Sequence, residues 1–289
     1  MHGSLPSEPT RLEAFRKQYR FRSDRTLWLG VERECFLVDR QGNFAPRAAD
    51  AIAHIHQKEW RRASHNTSSP HIRYVSTKEC VGYELSAVQI ETRTPTHRYG
   101  ETEDYLRLID IHLRNNLNEL GLRAAYNEIA PETMPLDIYP DPTGRYQMIT
   151  ESMPREILLA ACRIIGTHVH VGMPDHETAL RVHNEVIEHC DVLSDFGDGS
   201  NGERLRIYGI VKPDNRPRRY SSWADFCDEA HQTGFAEDPR SNWRTIRLTV
   251  HGTIEFRVFG ATERVDRICA WVQMCYLLCK KALNRATCE

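Results

Sequence analysis

Two periodicities of apolar residues run along this chain, and together they predict a mixture of helices and strands. Leu106, Ile109, Leu113, Leu117 and Leu120 recur at steps of three and four, the repeat of one helix face, and predict a helix over Glu103 to Leu120. Thr102 is its expected N-cap, and Gly121 its stop. Ala179, Val182, Val186 and Cys190 share a second such face behind Asp175, a capping residue. The mostly apolar run from Val265 to Leu283 predicts a third helix, and Asp50 to His56 a short one. Strands are expected at Leu27 to Val38, Arg123 to Glu128, Cys162 to Met173, Thr245 to Val250 and Thr253 to Phe259. The last two form a hairpin joined at His251-Gly252. Tyr83 to Thr92 fits a strand or a helix.

Between these elements, residues 1–25 read as a charged lead-in with a short helix in its second half. Residues 61–78 read as a mobile polar loop, the stretch up to Pro142 as a proline-rich loop, Gly197 to Gly202 as a glycine-rich break, and Pro213 to Arg240 as irregular. Strands and helices do not alternate regularly, which favours α+β over a doubly wound parallel sheet. The expectation is one catalytic domain over residues 1–289. No internal repeat, G-x-G-x-x-G or G-x-x-x-x-G-K motif is present, so a Rossmann or P-loop nucleotide site is not supported.

Composition narrows the partners. Lysine and arginine total 38 against 40 acids, a formal net charge of -2. That balance gives no broad attraction to nucleic acid or to an anionic membrane, and neither is expected as a partner. The Arg216 to Arg219 cluster reads as solvated loop. No apolar run of about 18 residues exists, and Met1 to Thr10 lacks the apolar segment of a secretory signal. Nine cysteines without a C-x-x-C pair argue against a disulfide framework or a zinc ribbon. Cys35, Cys162, Cys275 and Cys279 lie in apolar runs and read as buried thiols in a reducing cytoplasm.

The unusual positions are acids inside otherwise apolar strands. Glu32 and Glu34 are two residues apart and project from one strand face. Glu255 alternates with Ile254 and Phe256, with Arg257 on its own face. His168 and His170 share a face between Gly166 and Gly172, glycines that let a ligand approach the backbone. Glu84 and Glu91 flank Leu85 to Ile90, a spacing of two helical turns or of opposite faces of a regular strand. Clustered carboxylates cannot be buried without counter-charge. Either the face is open to water, the commoner arrangement for any single pair, or the acids surround hard cations that bridge to phosphate.

At the same residues the chain resembles the glutamate–cysteine ligase superfamily, particularly its second type, the bacterial carboxylate–amine ligases. The resembling segments are Gly30 to Val38, Tyr83 to Glu91, Gly166 to Gly172 and His251 to Val258, in family order. The resemblance implies a fold related to the catalytic domain of glutamine synthetase, a curved, largely antiparallel sheet forming a funnel-shaped site backed by helices. It implies ATP-dependent amide formation through an acyl phosphate, with Mg²⁺, or Mn²⁺ in its place, as the metal. It also implies small-molecule acid and amine substrates, the acid being most often glutamate but also a larger metabolite or a peptide terminus, and a homodimer. By motif, Glu32, Glu34, Glu91 and Glu255 would be metal ligands. Glu84 would bind metal and substrate, and His168 and His170 would line the nucleotide–metal site. Arg257 would contact the transferred phosphate, and Arg247 a phosphate beside it. Family members are typically longer at the C-terminal end. Two other classes remain open: a hydrolase holding Zn²⁺ or Mn²⁺ with His168, His170 and glutamates, and a non-catalytic nucleotide-binding relative.

Overall fold

The structure is a computed structural model that describes residues 8–61 and 74–285. Its first half runs α1 (Glu8–Arg16), β1 (Leu29–Asp39), α2 (Ala48–Ile55), β2 (Trp60–Arg61), β3 (Tyr74–Val75), α3 (Thr77–Cys80), β4 (Val81–Tyr83), β5 (Gln89–Arg93), α4 (Thr102–Glu119) and β6 (Leu122–Ala125). There follow α5 (Arg145–Thr150), α6 (Arg155–Cys162), β7 (Thr167–Gly172), α7 (His176–Val186), α8 (Cys190–Gly197), α9 (Glu203–Val211), α10 (Trp223–Thr233), β8 (Ile246–Leu248), β9 (Thr253–Phe259) and α11 (Val265–Arg285).

The fold is α+β, as expected. Seven strands form one sheet in the order β4-β5-β1-β7-β9-β8, with β6 also paired to β1, and every pairing is antiparallel. Alternation assigns the two faces, up to a register shift between β7 and β9 at Thr167/Val169. Leu29, Val31, Val169, Val171, Ile254, Phe256 and Val258 turn to one side and join α7, α10 and α11 in the largest apolar core. The intervening polar residues turn to the other side. Arg33 brings charge to the side of β1 that carries Leu29 and Val31, where it is closed off by Asp110 at 2.5 Å and by the Tyr126 ring at 4.9 Å.

Helix α4 buries Leu106, Ile109, Leu113 and Leu117 as its periodicity predicts, and Gly121 follows it at φ +72°. Asp175 caps α7 by accepting from the Thr178 amide. Gly252 turns the β8–β9 hairpin at φ +74°, where a Cβ would meet the Arg20 carbonyl at 2.3 Å.

Four expectations are corrected. Thr102 is the first residue of α4 rather than its cap, because its hydroxyl is engaged with the Tyr99 carbonyl and with His97. The run from Cys162 is not strand throughout. Cys162 ends α6, and pairing begins only at Thr167, since Leu158, Leu159 and Cys162 pack at helical spacing into a separate core around Phe36 and Val88. The stretch 213–240 contains α10, with Ser222 as cap and Trp223, Phe226, Cys227 and Ala230 buried on one face. Tyr83 to Thr92 is neither one strand nor one helix: β4 and β5 are joined by a turn that carries Glu84. Most of the loop expected at 61–78 lies outside the described residues. Those described at its ends form the end of β2, β3 and the start of α3.

Candidate active site on the polar face of the sheet

Strand register brings the distant acids together. Glu34 lies opposite Glu91, Glu32 opposite His168, His170 opposite Glu255, and Arg247 opposite Glu255. Directly opposed residues share a face, so β5, β1, β7, β9 and β8 project these side chains into one space. That space is a cavity of about 790 Å³, lined by all nine residues singled out in the sequence. Glu84 and Glu91, which a regular strand would send to opposite faces, both reach it because the chain turns between β4 and β5.

On the β8–β9 side, Glu255 accepts from Arg247 Nε and from Arg257 Nη1, each at 2.6 Å. Burial works against the Glu255 charge, but Arg247 and then Arg257 outweigh it and hold the carboxyl far below the usual range. Arg257 Nε is buried without a hydrogen-bond partner.

The two histidines stand in the middle. His168 Nδ1 is 3.3 Å from Glu32 and 3.7 Å from Glu255, and its Nε2 is 3.7 Å from Glu34. His170 Nδ1 is tied at 2.8 Å to Thr253 Oγ1, which also pairs with Thr249 Oγ1 at 2.8 Å. That leaves His170 Nε2 buried and unpartnered, facing Glu32 at 3.6 Å and Glu255 at 4.0 Å. Burial lowers the basicity of both imidazoles. In His168 burial prevails, reinforced by Arg257, whereas Glu32 and Glu255 reverse it in His170. Burial raises the Glu32 carboxyl, yet His170 and His168 outweigh it and hold it well below the ordinary value.

The β4–β5 side is different. Glu34 accepts from the Gly166 amide at 2.6 Å, and Glu91 is paired with Arg93, which also stands 3.9 Å from Glu32. No other arginine or lysine is within salt-bridge distance of Glu34, Glu84 or Glu91 among the described residues. Burial, then Glu34, pushes the Glu84 carboxyl up to about 8. Burial, then Glu32 and Glu84, raises Glu91 well above its usual range.

These donors fit a hard cation. Three groups, Glu34 with Glu84 and Glu91, Glu32 with Glu91 and His168, and Glu32 with His170 and Glu255, each have ligand atoms within 4.8 Å of one another. A divalent ion holding oxygens at roughly 2.0–2.6 Å spans pairs that far apart.

Arg204, on α9, escaped the sequence reading. It is buried beneath the strand ends and donates to the carbonyls of Ile165 at 2.7 Å, Arg257 at 3.3 Å and Val258 at 3.5 Å. Its guanidinium fills the place of a side chain at Gly166, where a Cβ would lie 2.1 Å from Nη2. Arg93 had a legible signal, standing two residues from Glu91 on the same strand face. Arg204 had none, since its partners are backbone atoms.

Comparison with known proteins agrees with this architecture. A Solibacter usitatus protein named for glutamate–cysteine ligase 2 is 25% identical over 273 residues, covering 89% of this chain and 66% of that one. A Natronomonas pharaonis protein named glutamate–cysteine ligase is 24% identical over 267 residues, covering 86% and 68%. The chain thus spans about two thirds of the length of these relatives. In fold it is similar to the bifunctional glutathione synthetase of Pasteurella multocida, at 12% identity and a TM-score of 0.57, over 96% of this chain and 39% of that one. No described helix is long and apolar enough to cross a membrane. Residues 28–194, more than half of the chain, match the sequence profile of glutamate-cysteine ligase family 2, and the chain belongs to that family.

Proposed function

We propose that this chain is an ATP- and Mg²⁺-dependent ligase that joins a carboxylic acid to an amine through an acyl phosphate. The observation that carries the reading is the convergence of four separate acidic or histidine segments on one cavity face, with ligand atoms spaced for divalent cations. The relatives named for glutamate–cysteine ligase support the same reaction class, with glutamate as one candidate acid.

Mg²⁺, or Mn²⁺, would neutralise phosphate charge during transfer. Glu34, Glu84 and Glu91 offer the most under-neutralised donor set for it, and Glu32, Glu255 and the two histidines offer the adjoining one. Arg257 and Arg247 leave the β9 side with two guanidiniums to one carboxylate, so surplus positive charge meets transferred phosphate there. The unpartnered Arg257 Nε is a donor in reserve for it. The amine must lose a proton to attack, and a pocket carboxylate not engaged by the cation would take it.

The test is ADP release by the purified chain with Mg²⁺ and ATP over a panel of acids and amines. Acid-dependent release that Glu91→Gln and Glu255→Gln each reduce by about a hundredfold or more is the expected result. No acid-dependent release across the panel, or stoichiometric zinc without nucleotide binding, would count against the ligase and favour a hydrolase.

A further inference from the structure

Among the described residues, three tyrosine or tryptophan rings line the cavity: Tyr83, Tyr146 and Trp243. Their surroundings differ. Tyr83 and Tyr146 belong to the β4–β5 end, beside the under-neutralised carboxylates. Tyr83 stacks on Tyr139 at 4.4 Å, meets the Tyr146 ring edge-on at 5.8 Å and donates its hydroxyl to Asp141 at 3.0 Å. One of its faces and its polar tip are therefore taken.

Trp243 belongs to the arginine end, and it is only half-buried. The residue before it, Asn242, offers its carbonyl to Arg247 Nη1, and Thr245, two residues on, accepts from the Arg257 amide at 2.7 Å. The chain at Trp243 is thus tied to both arginines that grip Glu255. On its other side stands α9. The Trp243 carbonyl accepts from the Tyr208 hydroxyl at 2.9 Å, and the two rings lie tilted at 5.9 Å. Val211 and Lys212, three and four residues past Tyr208, come up on the same side of the helix end and line the cavity with Trp243. Lys212 brings an exposed ammonium.

This corner joins a broad aromatic ring to three cationic side chains, Lys212, Arg247 and Arg257, against the one carboxylate of Glu255. A ligand matched to it carries a flat ring and several negative charges on one skeleton. Among the substrates of an ATP-dependent ligase, the nucleotide has that combination. The acid needs one carboxylate at the metal, and the amine has no anionic group to offer three cations.

We infer that Trp243 is the platform on which the base of the nucleotide stacks, with Val211 and Lys212 as its side wall. The triphosphate then runs from Trp243 past Arg257 and Arg247 towards the metal-holding acids. This rests on the ligase reading and places the nucleotide within that site.

Titration calorimetry on the full chain with Mg²⁺ compares β,γ-methylene-ATP with inorganic tripolyphosphate, which has the charges and no base. Trp243→Ala should weaken the analogue by about tenfold or more. Its tripolyphosphate affinity should stay unchanged, which also shows that the variant is folded. Trp243→Phe keeps a stacking face and should lose about threefold or less. The analogue should quench indole fluorescence in the parent chain, and that quench should vanish in Trp243→Phe. Tyr146→Ala, at the other end, should leave both affinities unchanged. Equal weakening of both ligands in the alanine and the phenylalanine variant would make Trp243 a support for the arginines and overturn the inference. So would an unchanged analogue affinity in Trp243→Ala, a quench that survives in Trp243→Phe, or a loss confined to Tyr146→Ala, which would seat the base at the acidic end. All of these leave the ligase standing. Nucleotide bound through Trp243 without acid-dependent ADP release would remove the ligase reading and keep the platform. A parent chain that binds no nucleotide would remove both.

Discussion

The two ends of the cavity floor solve the problem of buried charge in opposite ways. At the β8–β9 end, Glu255 is gripped by two arginines and the protein completes the ion cluster by itself. At the β4–β5 end, Arg93 on Glu91 is the one guanidinium within salt-bridge distance of Glu34, Glu84 or Glu91 among the described residues, and the Glu84 and Glu91 carboxyls are pushed upward instead of being stabilised. Both arrangements lie on one sheet face, so burial alone does not explain the difference. Arg33 and Asp110, on the opposite face, show that this fold closes a buried charge when nothing but structure is at stake. An end left short of cations is a place where one can be supplied from outside.

The sharpest way to break this contrast is to remove the carboxylate of the closed end. Glu255→Ala removes the buried carboxylate that Arg247 and Arg257, themselves only partly exposed, share, and breaking a buried pair in this way costs up to about 3–5 kcal/mol. Urea unfolding without metal should show that loss. Glu84→Gln under the same conditions near pH 7 should cost little, because the Glu84 carboxyl, raised to about 8, is already largely neutral there. Equal losses in the two variants would erase the distinction between the ends.

Arg204→Met comes next and attacks both ends at once. Arg204 holds the carbonyl of Arg257 at one end and that of Ile165 at the other, beside the Gly166 amide that fixes Glu34. Leaving these buried carbonyls unmet should cost about 2–3 kcal/mol and weaken Mg²⁺ binding. Arg204→Lys, which restores charge but not the three-way fork, should recover part of the stability and little of the metal affinity. Metal titration of the two variants checks this, and full recovery by lysine would reduce Arg204 to a simple counter-charge.

How much of this was legible in the chain depends on whether a residue's partner is local. The alternation Val31-Glu32-Arg33-Glu34-Cys35 and its counterparts around His168, His170 and Glu255 already state which side chains share a face. The pairing that brings three such faces together only adds which strands are neighbours. Glu84 could not be placed by spacing, since a turn between two short strands resets the alternation. Cys162 misled because Cys-Arg-Ile-Ile is equally apolar as a helix end and as a strand start. Helix α10 was readable in principle from Ser222, Trp223, Phe226, Ala230 and Gly234, but prolines and arginines just before it mimic an irregular loop.

The open end should also betray itself through pH. A carboxyl raised to about 8 in the folded chain and near 4.5 in the unfolded chain keeps its proton longer when folded. Its contribution is therefore complete below about pH 4.5 and is lost as pH rises towards 8, at no more than about 1.4 kcal/mol per pH unit. Thermal unfolding without metal should show stability falling across that window, with a shallower fall in Glu84→Gln. Added Mg²⁺ should stabilise the protein more at pH 8 than at pH 6, because a cation rewards the ionised form. A magnesium effect independent of pH would argue that the ion settles on acids that are already ionised, such as Glu32.

The smallest expected effect joins the two ends across the mouth of the cavity. Arg145, at the start of α5 on the acidic side, meets Asp238 at 2.9 Å, and Asp238 also holds Arg240 at 2.8 Å on the approach to β8. These groups are a third or more exposed, so the pairing contributes only about 0.2–1 kcal/mol and is screened by salt. Asp238→Asn should therefore barely move the unfolding midpoint. It would free two guanidiniums at the rim, which should raise the association rate of an anionic nucleotide at low ionic strength and lose that advantage at high ionic strength. Stopped-flow binding of a fluorescent ATP analogue with Mg²⁺, repeated over a salt series, reads this directly. An unchanged salt slope would mean that the rim pair does not lie on the nucleotide's path, and would confine electrostatic steering to the arginines of the β8–β9 end.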